Sequence, residues 1–227
     1  FSLNALWKNK ISLLVGDYLL SRGLLLSLEN DDFDLLRIVT QSVREMSEGE
    51  LLQIEKARRL DIEESVYFEI IKKKTASLIS SCLTSGAASA GASAEEQAIM
   101  SLVGEKAGIA FQIKDDILDF DRDNCKGKPS GVDIKERKLT LPLIYLLNHA
   151  TSSEKRKIIN TVKNHNHDPI RVGELIDMAE EKGGIRYAIE QMQRYRHEAI
   201  ELLHSLPEVP ARNSLEQLIA FTTDRKS

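Results

Sequence analysis

Asp115, Asp116 and Asp119 place three carboxylates within five residues, and Lys128, Lys135, Arg137 and Lys138 follow them. Carboxylates that close repel one another at neutral pH. A hard divalent cation relieves the repulsion, and oxygen donors suit Mg²⁺. Acidic metal ligands followed by cations point to a ligand that is both metal-bound and anionic, such as a diphosphate, because Lys and Mg²⁺ both neutralise phosphate oxygens. For the triplet alone, the competing reading is a solvated acidic helix end.

The triplet must be held by a helix. Side chains three and four apart share a helix face, so Gly104, Gly108, Gln112, Asp115 or Asp116, and Asp119 form one stripe. Val103, Ala107, Phe111 and Leu118 supply an apolar face beside it. Each interior glycine costs roughly 1 kcal/mol against alanine, which makes sense if something approaches the backbone closely. Ser93 and Glu96 form a capping-box pattern where this helix should start. A second candidate lies upstream. Tyr67, Ile70, Ile71, Lys74, Leu78 and Ile79 follow a helical stripe, so Lys74 projects from an apolar face while Lys72 and Lys73 do not. Such a lysine either snorkels or meets an anion. Thr75 adds a hydroxyl beside it.

Further helices are expected over 4–28, from Asp32 through Met46 and beyond, from 61–64 onward, and over 152–164, 169–181, 185–206 and 214–221. The small-residue run Ser85–Ala94 reads as a connection between helices. With 5 Pro, 12 Gly and long runs of Leu, Glu, Lys, Ala and Ile, helix is favoured over sheet throughout. A chain of 227 residues can bury a core as one domain, 1–227. The almost all-round apolar surface of Ile11 to Leu28 reads as a buried helix. Asp17 and Arg22 inside it argue against a membrane span, and a buried Asp17 would need a partner.

A net charge of −4 without a basic stripe gives nucleic-acid binding no support. Cys82 and Cys125 lack metal-ligand spacing and read as free thiols of a reducing, cytoplasmic compartment, Cys82 as core packing. Asp119 to Asp123 briefly resembles a calcium loop but lacks its final glutamate. No histidine has a partner at ligand spacing, and neither a nucleophile triad, a glycine-rich nucleotide loop nor a repeat is visible.

Phe111-Gln112-x-x-Asp115-Asp116-x-x-Asp119, then Gly127-Lys128-Pro129-x-Gly131-x-Asp133 and Lys138-x-Thr140-Leu141-Pro142, resembles the second aspartate-rich motif and following loop of the trans-polyprenyl diphosphate synthases. Lys74-Thr75 is similar to the family's Lys-Thr pair. Trp7 to Lys10 with Gly16 to Leu20, and Met46 to Glu55, also resemble it. One position departs: Arg137 stands where the family often has Gly.

The resemblance implies an all-α, isoprenoid-synthase-type helical bundle around a central cavity, and a homodimer in which the helix over 11–28 faces the subunit interface. It implies Mg²⁺-dependent head-to-tail condensation of an allylic prenyl diphosphate with isopentenyl diphosphate, without stable membrane insertion. By the same likeness Asp115, Asp116 and Asp119 hold metal, and Lys74, Lys128 and Lys138 neutralise diphosphate. Thr75 and Gln112 orient it, Phe111 lines the hydrocarbon cavity, and Gln53 lines the active cavity or is an ordinary exposed helix residue. The family's first aspartate-rich motif, with an arginine pair after it, has no counterpart in these residues, so the chain is expected to be N-terminally incomplete and inactive alone. The alternatives are a non-catalytic subunit or fragment and, against the Gly127-Lys128 loop and Lys74-Thr75, a terpene cyclase.

Overall fold

The computed structural model describes residues 3–60, 62–121 and 131–224. These are helical, with no strand among the described residues. The helices are α1 (Leu3–Glu29), α2 (Phe33–Arg59), α3 (Glu64–Ile71), α4 (Ser77–Ser89), α5 (Ala94–Leu118), α6 (Val132–Lys135), α7 (Leu141–His149), α8 (Ser152–Asn164), α9 (Pro169–Glu181), α10 (Gly184–His204) and α11 (Pro210–Asp224). A π-helical segment, Lys72–Ala76, joins α3 directly to α4.

The chain divides into two compact units. One holds α1 and α2 up to Gln41, and the other runs from Ser42 onward. In the first, Leu13 is 67% exposed and Tyr18 65%, and Ile11, Leu14, Leu19, Leu25 and Leu26 are exposed too. The expectation of a buried helix therefore fails within this chain, as does the expectation that Asp17 is buried. Its apolar side chains are real, but the described residues of its own unit leave them exposed. Asn9–Glu29 is long and apolar enough to cross a membrane by length and composition alone.

The second unit is built around α5, which packs most extensively along α10 and α4. The two stripe glycines explain how α4 and the π-helical segment before it get so close. A Cβ on Gly104 would lie 2.5 Å from Ser80 Cα, and one on Gly108 would lie 2.6 Å from Ala76 Cα. What approaches the α5 backbone is thus the neighbouring helix. The start of α5 is the expected one: Ser93 Oγ accepts from the Glu96 amide while the Glu96 carboxylate accepts from the Ser93 amide.

The main core joins Ile109, Ala110 and Ile113 of α5 to Leu143, Ile144 and Leu146 of α7 and to Leu175, Ile176 and Ala179 of α9. A smaller cluster joins Val103 and Ala107 to Ala199 and Leu203 of α10 and Ile219 of α11. Two local expectations are corrected. The small-residue run continues α4 as far as Ser89, because Ala and Ser sustain a helix where nothing larger must pack, and only Ala90 to Ser93 connects. Cys82 is exposed rather than core. Cys125 lies outside the described residues.

Candidate functional site

Lys74 is delivered by an interruption in helical register. The Ser77 amide donates to Lys72 O, five residues back, so the helix widens through Lys72–Ala76. π-Bulges of this kind recur at functional sites. Its three lysines part ways. Lys72 pairs with Glu105 at 2.9 Å, and Lys73 pairs with Glu69 at 3.0 Å and Glu48 at 3.4 Å. The Lys74 ammonium donates to Gln53 Oε1 and meets Glu50 Oε2, each at 2.6 Å. Gln53 is half-buried and holds Lys74, so it is not an ordinary exposed helix residue.

Beside Lys74, the Thr75 hydroxyl donates to Gln112 Oε1 at 2.8 Å. Gln112 Nε2 donates in turn to Asp116 Oδ1 at 3.0 Å, and the Tyr67 hydroxyl donates to Asp116 Oδ2 at 2.7 Å. Both oxygens of a buried carboxylate thus have a donor. Burial pushes the Asp116 carboxyl up to about 7; the Tyr67 and Gln112 hydrogen bonds oppose the shift, while the charges of Asp133 and Asp115 add to it. Burial first, then the Asp116 charge, raises the Tyr67 phenol well above its ordinary value. Lys138 pairs with Glu136 at 2.5 Å and Asp133 at 3.4 Å. Burial lowers its ammonium, but these partners outweigh burial and raise it overall.

These groups converge on one cavity of about 410 Å³. Gln53, Lys74, Thr75, Gln112, Asp115, Asp116 and Lys138, all singled out by the sequence, line it together with Tyr67, Asp133 and Thr140. Ile62, Ile70, Ile71 and Leu139 give it an apolar wall. Phe111 and Asp119 are not among its lining residues, and Lys128 lies outside the described residues. Asp119 is turned elsewhere. It is the C-terminal cap of α5, and its carboxylate accepts the Val132 amide at 2.9 Å and the Asp133 amide at 3.0 Å, pinning the start of α6. No group of three metal-ligating side chains stands together among the described residues. Asp115, Asp116 and Asp133 nonetheless bring three carboxyl groups to one cavity, where burial raises Asp116 and the charges of Asp133 and Asp115 add a smaller share. That donor set suits a hard cation that completes its shell with ligand oxygens and water.

Tyr67 and Asp133 are among the cavity residues that sequence reasoning missed as site components. Tyr67 reads as one more apolar-stripe residue, although a buried phenol needs an acceptor. Asp133 belongs to the quoted loop motif, and that was its only signal.

The family model described as Polyprenyl synthetase matches residues 1–179. A short chain isoprenyl diphosphate synthase of Methanothermobacter thermautotrophicus is 33% identical over 230 residues, covering 99% of this chain and 70% of that protein. Among solved structures, a decaprenyl diphosphate synthase from Rhodobacter capsulatus superposes with a TM-score of 0.90 at 30% identity, over 97% of this chain and 68% of that one. A polyprenyl synthase from Caulobacter crescentus, complexed with calcium and isoprenyl diphosphate, gives 0.89 at 28% identity over 99% and 69%.

Proposed function

Because this chain belongs to the polyprenyl synthetase family, we propose that its cavity binds a prenyl diphosphate for Mg²⁺-dependent chain elongation, joining an allylic prenyl diphosphate head to tail to isopentenyl diphosphate. The observation that carries the proposal is the convergence of Lys74, Thr75, Gln112 and Lys138 on one cavity with Asp115, Asp116 and Asp133.

In this reading Lys74 and Lys138 neutralise diphosphate oxygens. Glu50 and Gln53 hold the Lys74 ammonium in place beforehand. The Thr75 hydroxyl and the Gln112 amide, already bonded to each other, orient the diphosphate. Asp115, Asp116 and Asp133 would hold Mg²⁺, which when bound supplies charge that stabilises the departing diphosphate. The allylic C1–O bond breaks with its electron pair leaving on diphosphate. The isopentenyl double bond attacks C1, and loss of a proton restores an alkene. Ile62, Ile70, Ile71 and Leu139 keep water from the cationic carbon.

The scheme requires a second acidic motif facing the first, and these 227 residues carry a single Asp-Asp-x-x-Asp. The chain by itself is therefore proposed to bind diphosphate weakly and not to turn over. Its exposed apolar helix α1 supports a homodimer. Asp17 and Arg22 within α1 favour that role over membrane insertion, and the free thiol of Cys82 fits the cytoplasm. The commitment of Asp119 to backbone amides gives some support to a second reading, a diphosphate-binding subunit that lacks chemistry.

Incubating the full-length protein with Mg²⁺, an allylic diphosphate and labelled isopentenyl diphosphate separates the two. Labelled product longer by five-carbon units supports elongation. Diphosphate binding without product supports the non-catalytic subunit.

A further inference from the structure

We infer that Tyr67 is a positioning residue of the diphosphate site that acts through Asp116, an inference resting on the reading of the cavity as a metal and diphosphate site. Tyr67 comes from α3 and is 4% exposed, with its ring edge-on to Phe68 at 5.3 Å. Packing alone would be met by phenylalanine. A hydroxyl buried there is costly unless bonded, and its acceptor is Asp116 Oδ2 at 2.7 Å.

That bond begins a relay. Asp116 Oδ1 accepts from Gln112 Nε2, which leaves Gln112 Oε1 to accept from Thr75. The opposite amide orientation would set the Gln112 carbonyl against the carboxylate, so Asp116 fixes which way the amide points. Through it Asp116 also fixes the Thr75 hydroxyl. Each carboxylate oxygen offers two lone pairs, and one on each remains for a ligand. Without the Tyr67 hydroxyl the carboxylate turns more freely, and the order of Gln112 and Thr75 goes with it. The relay ties α3, α5 and the π-segment together at the cavity, although its members are far apart in sequence.

The test is a Mn²⁺ titration, read by electron paramagnetic resonance, on the full-length protein with an unreactive thio-linked allylic diphosphate. Tyr67→Phe is expected to weaken Mn²⁺ binding about 10-fold, the scale of losing one hydrogen bond to a charged group. In an Asp116→Asn background the same substitution is expected to change binding less than twofold, because its route is already gone. A purely structural role would instead lower affinity equally in both backgrounds, and that result overturns the inference. So does unchanged affinity in Tyr67→Phe alone. Wild-type protein that binds no Mn²⁺ with the analogue would overturn the site reading itself and this inference with it. Should Tyr67→Phe not fold, the pair Tyr67→Phe/Asp116→Asn compared with Asp116→Asn carries the test. Equal affinities support the relay, and a further loss contradicts it.

Discussion

The backbone of α2 at Gly49 lies so close to Lys74 that a Cβ on Gly49 would come within 2.8 Å of the Lys74 amide nitrogen and 2.9 Å of Lys73 Cβ. Glu50 and Gln53, which hold the Lys74 ammonium, stand on the same helix. Gly49 therefore sets the distance between a cation and its holders. Gly49→Ala would push the π-segment away and is expected to cost ~1–3 kcal/mol of stability, as overpacking does. Denaturant unfolding, with diphosphate affinity measured alongside, checks this. An affinity loss larger than that of Glu50→Gln is the expected outcome.

Arg137 has φ +60° in the turn after α6. The Lys138 amide donates to Asp133 O and the Arg137 amide to Ile134 O, the Schellman pattern that puts a left-handed residue just past a helix. That conformation costs a side-chain-bearing residue ~1–2 kcal/mol. Arg137→Gly is expected to raise stability by about 1 kcal/mol in thermal unfolding, with the site intact.

The Asp116 carboxyl, raised to about 7 by burial, is protonated more readily in the fold than in the unfolded chain. Its contribution to stability is then full below the ordinary carboxylate range and is lost as pH rises toward 7. In the absence of divalent metal, the melting temperature of wild type is expected to fall across that interval more steeply than that of Asp116→Asn. Parallel curves would show that this group is not the source.

The two outer aspartates should separate cleanly. Asp119 accepts two backbone amides at the start of α6, whereas Asp115 lines the cavity. Asp119→Ala is expected to cost ~2–4 kcal/mol, since hydrogen bonds to a charged group are worth ~1.5–3 kcal/mol each and water replaces part of that. Asp115→Ala is expected to weaken divalent metal binding. Thermal melts and metal titrations of both variants check the pair.

The site was legible where its signals are local. The Ser93–Glu96 capping box placed the start of α5, the glycines of α5 announced a close neighbour, and helical phase separated Lys74 from Lys72. It was not legible where register slips or contacts are distant. The π-segment inserts an extra residue into the turn, which shifts the phase of everything after Ala76. Leu78, assigned to the same buried stripe as Ile71, is accordingly 45% exposed. Asp119 shares a spacing pattern with Asp115, but α5 ends at Leu118, and the amides that claim its carboxylate lie 13 and 14 residues further on. Tyr67 meets Asp116 across 49 residues. In α1 the sequence registers apolar surface without saying what covers it.

Lys74 tests the central claim most directly, because Lys72, two residues away, is a matched control whose ion pair with Glu105 stands apart from the cavity lining. Isothermal titration of the full-length protein with an unreactive allylic diphosphate and Mg²⁺ is the measurement. Lys74→Ala is expected to weaken binding about 10-fold or more, the scale of one charge-assisted contact, while Lys72→Ala shifts it less than about twofold. Equal effects of the two substitutions would contradict a diphosphate site built on Lys74.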